Sequence, residues 1–302
     1  MTAVRLRDVT LRDGLQDEAV VATDDKVALF EALVRAGIRD LELTSFVRPD
    51  RVPAMADAPD LAARTAGTDV DRWALVLNER GAQRALEAGM DHVQFVVSVS
   101  DAHSLNNAGR TVEQGLQAME AIAAALPDSA RMEVTLATAF GCPYDGPVSP
   151  DAVLAAAERA VAAGAAGISL ADTIGTAIPK EVTALVEATR RIAGDLPVGV
   201  HLHDTRGLGV TNALAAIEAG AARVDGSVGA LGGCPFAPGA SGNLALEDLV
   251  HVLEESGVDT GIDLDALIEA AELACRLVGR PVESHVGKAG PRFRRLAAKS
   301  PS

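Results

Sequence analysis

A strand-then-helix alternation runs along the chain and restricts its fold more than any other feature. Short β-favouring runs occur at residues 4–9, 40–43, 72–77, 92–97, 133–137, 167–170, 198–201 and 223–227. Between them lie Ala/Leu-rich stretches that keep helical spacing, among them 24–36, 112–125, 151–163, 180–192 and 211–219. Parallel strands need long crossovers, usually helical, so the alternation predicts βα units around a parallel sheet. Eight such strands are the number that closes a TIM (β/α)8 barrel. Several helical stretches end in an Ala-Gly pair, as at Ala36-Gly37, Ala88-Gly89, Ala163-Gly164 and Ala219-Gly220, where glycine can take the left-handed conformation that stops a helix.

No Pro/Gly/Ser-rich linker divides the 302 residues, so the chain reads as one domain. Residues 256–302 are expected to form a C-terminal extension packed on the barrel, with a further helical pattern at 264–278 and a basic end at 288–299 that reads as a solvated face. A doubly wound open sheet is the competing architecture. It lacks support, because no Gly-x-Gly-x-x-Gly turn follows the first strand. A net charge of -15 with scattered basic residues argues against a nucleic-acid partner and leaves a small molecule as the expected one. Cys142, Cys234 and Cys275 are too few and too widely spaced for a disulfide framework, which points to a reducing compartment. No apolar signal core opens the chain, and no run approaches the roughly 20 apolar residues a bilayer requires. The expectation is a cytoplasmic protein without a membrane partner.

Polar residues gather just after the strands, where a barrel builds its active site. The first strand runs into Thr10-Leu11-Arg12-Asp13-Gly14, which sets a cation beside a carboxylate; taken alone, this pair reads equally well as a turn with a surface ion pair. The seventh ends in His201-Leu202-His203-Asp204, and strand alternation puts both imidazoles on one face with Leu202 on the other. Two imidazoles so placed can hold one cation; two hydrogen-bonded surface histidines are the plainer alternative. The other four histidines are isolated, which favours the metal reading. After the eighth strand, residues 229–243 are too rich in glycine and proline for a helix and predict a mobile loop over the barrel mouth. Cys234 on that loop is either a small hydrophobe or an accessible thiol. Asn243 is either a helix N-cap or a source of a carbonyl ligand.

The segments LRDGLQDE, LELTSFVRPDRVPAM, GCPYDG, LADTIGTAIP, HLHDTRG and GALGGCPFAPGASGN, in this order, resemble the 3-hydroxy-3-methylglutaryl-CoA (HMG-CoA) lyases of the DRE-TIM metallolyase superfamily. The likeness covers nearly the whole chain, and its most specific piece is the glycine-cysteine loop. Condensing relatives typically carry RDGEQ and His-Asn-Asp where this chain has Arg12-Asp13-Gly14-Leu15-Gln16 and His203-Asp204-Thr205. The resemblance implies that Asp13, His201, His203 and Asn243 hold one divalent cation, Mg2+ or Mn2+. It also implies that Arg12 stabilises an enolate oxygen, that Glu42 supports Arg12 and the metal site, and that Cys234 takes part in proton transfer. By the same likeness Asp172 is a further acidic active-site residue, and Gln16, Ser45 and Asn107 line the substrate site. A homodimer acting on an acyl-CoA thioester is the implied assembly.

The implied reaction is metal-assisted retro-Claisen cleavage of HMG-CoA to acetyl-CoA and acetoacetate, with the general base open between Asp13, Asp172 and a water. Thr135 stands where better-known members place a tyrosine facing the acyl group, so a related longer or branched 3-hydroxyacyl-CoA is an alternative substrate. A condensing or aldolase relative using an α-keto acid, and a barrel without catalysis that acts as a binding protein, are the further alternatives.

Overall fold

The computed structural model describes residues 4–233 and 242–293. Eight strands, β1 (Arg5–Asp8), β2 (Asp40–Ser45), β3 (Asp71–Val76), β4 (His92–Ser98), β5 (Arg131–Ala137), β6 (Gly167–Asp172), β7 (Val198–Leu202) and β8 (Arg223–Gly226), pair in sequence order into a closed barrel. Every neighbouring pair is parallel, including β1 with β8, so no edge is left unpaired. This is the TIM barrel that the sequence pattern predicts. The helices are α1 (Thr23–Arg35), α2 (Ala58–Arg64), α3 (Glu79–Glu87), α4 (Asp101–Ala108), α5 (Val112–Ala125), α6 (Pro150–Ala162), α7 (Pro179–Ala193), α8 (Gly209–Glu218), α9 (Leu246–Glu255), α10 (Leu264–Val278) and α11 (His285–Ala289).

The apolar core lies between barrel wall and helices rather than inside the barrel. Leu41, Leu43, Phe95, Val134, Leu136, Ile168, Leu170, Val200, Leu202 and Val224 are buried there with the inner faces of the helices. The alternate positions face the lumen and are mostly polar. Arg7 of β1 reaches across the barrel, with its guanidinium 4.4 Å from the centre of the Trp73 ring and Nη1 3.0 Å from Glu133 of β5. Its Nε donates to Asp40 at 2.6 Å. Arg223 joins Glu133 on one side and Asp225 on the other, the latter at 2.6 Å. An alternating chain of buried charges therefore fills the lower lumen, each with an opposite neighbour, as burial of charge requires.

The chain's C-terminal part takes a place in the helical ring. Helix α10 packs against α1 and α9, and against the short turn Val228–Ala230 that follows β8. Gly229 in that turn has φ 67°, and a Cβ there would stand 2.5 Å from the Cys275 sulfur of α10, so both conformation and space call for glycine. Arg280 beyond α10 pairs with Glu18 beyond the first turn of the barrel.

Candidate metal centre at the barrel mouth

Strand β1 ends in a single π-helical turn, Thr10–Gly14, closed by Gly14 N–H donating to the Val9 carbonyl at 3.1 Å. Such turns are wider than an α-turn and often mark functional sites. Here the turn carries Arg12 and Asp13 over the mouth. Asp8 braces it: its carboxylate accepts from the Thr10 backbone N–H at 2.9 Å and from the Thr10 hydroxyl at 2.7 Å. Thr10 Oγ1 in turn accepts from Val228 N–H at 2.9 Å, tying the turn after β1 to the turn after β8. Asp8 is fully buried, and that burial pushes its carboxyl up to about 7 against the two hydrogen bonds that favour the charged form.

His201 lies in β7, Leu202 turns outward into the apolar layer, and His203 follows the strand's last residue. Asn243 is brought in by backbone pairing. Leu244 N–H donates to the Leu202 carbonyl at 3.0 Å and Asp204 N–H to the Gly242 carbonyl at 2.9 Å, so residues 242–244 run beside the end of β7 and set Asn243 opposite His203. The capping role that the sequence leaves open for Asn243 is excluded, because Ala245 precedes the first turn of α9.

The Nε2 atoms of His201 and His203 face each other at 3.2 Å, and His201 Nε2 is 3.9 Å from Asp13 Oδ2. Ligand atoms of Asp13, His201 and His203 all lie within 4.8 Å of one another. Asn243 Nδ2 donates to Asp13 Oδ2 at 2.7 Å, which leaves its buried Oδ1 with no hydrogen-bond partner. Two imidazole nitrogens at that separation repel unless a proton or a cation lies between them. One carboxylate, two imidazoles and an amide oxygen with no other partner fit a divalent cation with hard and borderline ligands.

Electrostatics keep Asp13 and His203 in ligand form. Burial works to raise the Asp13 carboxyl, but Arg12 and the two histidines outweigh it and bring it to about 2. Burial and the adjacent His201 push His203 down to about 4, so it is neutral at pH 7. For His201, burial is outweighed by Asp225 and Asp13, and its pKa rises. Arg12 sits between Asp13 and Glu42, with Nη2 2.6 Å from the latter's Oε2, while its buried Nε has no partner. That pairing keeps the guanidinium charged. Burial raises the Glu42 carboxyl against the opposing pull of Arg12.

The remaining sequence-derived candidates are placed less uniformly. Ser45 ends β2, buried, with its hydroxyl unpartnered. Gln16 follows the π-turn and is half-buried, whereas Asn107 is exposed near the end of α4. Asp172 ends β6, and its carboxylate accepts from Thr176 and Ala177 N–H groups at 2.9 Å each, fixing the turn into α7. Cys234 and most of the glycine-rich loop lie outside the described residues. Thr135 faces the lumen and accepts from Gln94 Nε2 at 2.5 Å, with Gln94 Oε1 unpartnered. Sequence reasoning missed Asp8, Arg223 and Asp225. The alternation in Arg223-Val224-Asp225 puts both charges on one face of β8, but only the register with β7 shows that this face carries His201.

The fold and site define a class: a (β/α)8 barrel whose C-terminal mouth holds a carboxylate, two imidazoles and an amide suited to a divalent cation, beside a buried arginine. The chain belongs to the HMGL-like family, whose model matches residues 3–274, and so to the DRE-TIM superfamily of lyases that use a divalent metal. It is 43% identical to the (R)-citramalyl-CoA lyase of Chloroflexus aurantiacus, over 100% of this chain and 99% of that one. A hydroxymethylglutaryl-CoA lyase of Bacillus subtilis is 37% identical over 93% of this chain and 95% of its own length. Among solved structures, an HMG-CoA lyase of Acinetobacter baumannii in complex with coenzyme A and 3-methylmalate superimposes with a TM-score of 0.93. It is 39% identical over 99% of this chain and 100% of that one.

Proposed function

We propose that this chain cleaves a carbon–carbon bond in a short 3-hydroxy-3-methylacyl-CoA thioester that ends in a carboxylate, releasing acetyl-CoA. The observation that carries the reading is the cluster of Asp13, His201 and His203, with Asn243 bonded to Asp13 through Nδ2, its Oδ1 unpartnered, and Arg12 paired to Asp13 with its Nε unpartnered. A divalent cation bound there would acidify the substrate's tertiary hydroxyl, whose proton passes to a base, Asp13, Asp172 or a water, and would offset the charge of its carboxylate. Arg12, held by Asp13 and Glu42, presents a permanent positive charge to the thioester oxygen as the enolate forms. Glu42 fixes that guanidinium, and Asp172 holds the β6–α7 turn at the rim. Cys234 is the proposed acid that returns a proton to the enolate carbon. Gln16, Ser45 and Asn107 are proposed substrate contacts, and a cytoplasmic homodimer is the proposed form. Among the described residues no helix is long and apolar enough to cross a membrane.

HMG-CoA is the substrate read from the chain's motifs, and its cleavage yields acetyl-CoA and acetoacetate. A second reading, (R)-citramalyl-CoA cleaved to acetyl-CoA and pyruvate, is favoured by the 43% identity to a citramalyl-CoA lyase along the full chain. The two substrates differ by one methylene, worth about 1–3 kcal/mol of discrimination in a pocket. Steady-state kinetics with both thioesters decides between them: a kcat/KM ratio of tenfold or more names the substrate, and turnover of neither contradicts the proposal.

A further inference from the structure

The lumen beneath the site holds a carboxylate that the reaction does not use. Asp225 is fully buried in β8, in register with His201 of β7, and both face inward. Its Oδ1 accepts from Arg223 Nε at 2.6 Å. Its Oδ2 has no hydrogen-bond partner, and His201 Nδ1 stands 3.5 Å away. Arg223 is itself held from the far side by Glu133, which Arg7 also engages, with Asp40 at the end of the chain of charges. Gly199 makes room for this arrangement, since a Cβ there would stand 2.8 Å from Arg223 Nη2. The carboxylate is thus fixed by an arginine on one oxygen and aimed at the histidine with the other.

We propose that Asp225 is a positioning residue for His201: it holds the proton on Nδ1 and so leaves the Nε2 lone pair facing Asp13, His203 and Asn243. The inference rests on the reading of His201 as a metal ligand. A ring nitrogen that donates to a carboxylate fixes both the tautomer and the plane of the ring, and such outer partners commonly change metal affinity by 10- to 100-fold. Arg223 makes the arrangement directional. Its Nε must meet an acceptor at position 225, so in Asp225→Asn the amide oxygen faces Arg223 and the amide N–H2 faces His201. His201 Nδ1 must then accept, which moves the ring proton to Nε2 and removes the ligand lone pair, the tautomer error known from the serine-protease triad.

The test has two parts. Mn2+ binding by electron paramagnetic resonance should show a dissociation constant at least tenfold higher for Asp225→Asn than for the unmodified protein. Long-range 1H–15N correlation spectra of the metal-free protein at pH 9 should place the His201 proton on Nδ1 in the unmodified chain and on Nε2 in the variant. Equal Mn2+ affinities, or an unmodified His201 protonated on Nε2, overturn the proposal. The second result needs no variant, so it decides even if Asp225→Asn does not fold. Failure of the unmodified protein to bind Mn2+ would instead overturn the metal reading on which this one rests.

Discussion

At the scale of single residues, the site depends on which groups are charged when buried. Asp13 and His203 are held in ligand form by their neighbours, so Asp13→Ala and His203→Ala should each lower kcat/KM by 100-fold or more and abolish measurable Mn2+ binding while the fold, followed by circular dichroism, persists. Asp8 behaves in the opposite way to a paired carboxylate. Its folded-state pKa, about 7, lies above the ordinary 3.8, so between those values the native protein keeps a proton that the unfolded chain has released. Stability therefore falls as pH rises from 4 to 7, by up to about 4 kcal/mol from this group. Asp8→Asn should flatten that slope in denaturant titrations across the same range; an unchanged slope would show that Asp8 is ionised in the fold. The paired histidines were legible in the sequence because strand alternation is enough to put positions 201 and 203 on one face. Asp225 and Arg223 were not, because a charge in a strand reads as solvent-facing unless the lumen is known to be polar.

At the scale of elements, the strands were legible and several connections were not. Short β-favouring runs fell close to the observed β1 to β8, because the outward positions of each strand pack against the helices and leave a local signal of aliphatic and β-branched residues bounded by turns. The π-turn Thr10–Gly14 has no such signal: Asp8 braces it locally, but Thr10 is also tied to Val228, 218 residues further along the chain. The same holds for Asn243, placed by backbone pairing with the end of β7 rather than by local preference. The turn Val228–Ala230 leads from β8 toward that segment and leans on α10. Gly229→Ala combines an unfavourable φ with a clash against Cys275, and should lower stability by about 2–4 kcal/mol in urea unfolding. Cys275→Ala should leave stability closer to the parent and, combined with Gly229→Ala, recover part of the loss, which would separate clash from backbone strain.

For the whole molecule, an eightfold strand count was enough to name the architecture, since a closed parallel barrel is the arrangement that leaves no edge for eight βα units. The position of α10 between α1 and α9 needed the structure, because an amphipathic C-terminal helix packs equally well on its own barrel or on a partner. Substrate identity lies furthest from the sequence: HMG-CoA and citramalyl-CoA differ by one methylene, and the lumen side chains near the site, such as Thr135 with Gln94, are set by contacts across strands β4 and β5. Thioester cleavage here depends on a cation held by Asp13, His201, His203 and Asn243, as proposed. Its most direct test is acetyl-CoA release from HMG-CoA and (R)-citramalyl-CoA by the purified protein after chelation, and again after adding Mg2+ or Mn2+. The expected result is no release from either thioester in chelator, and restored release from at least one on adding metal. Undiminished release in chelator, or none with metal present, would contradict it.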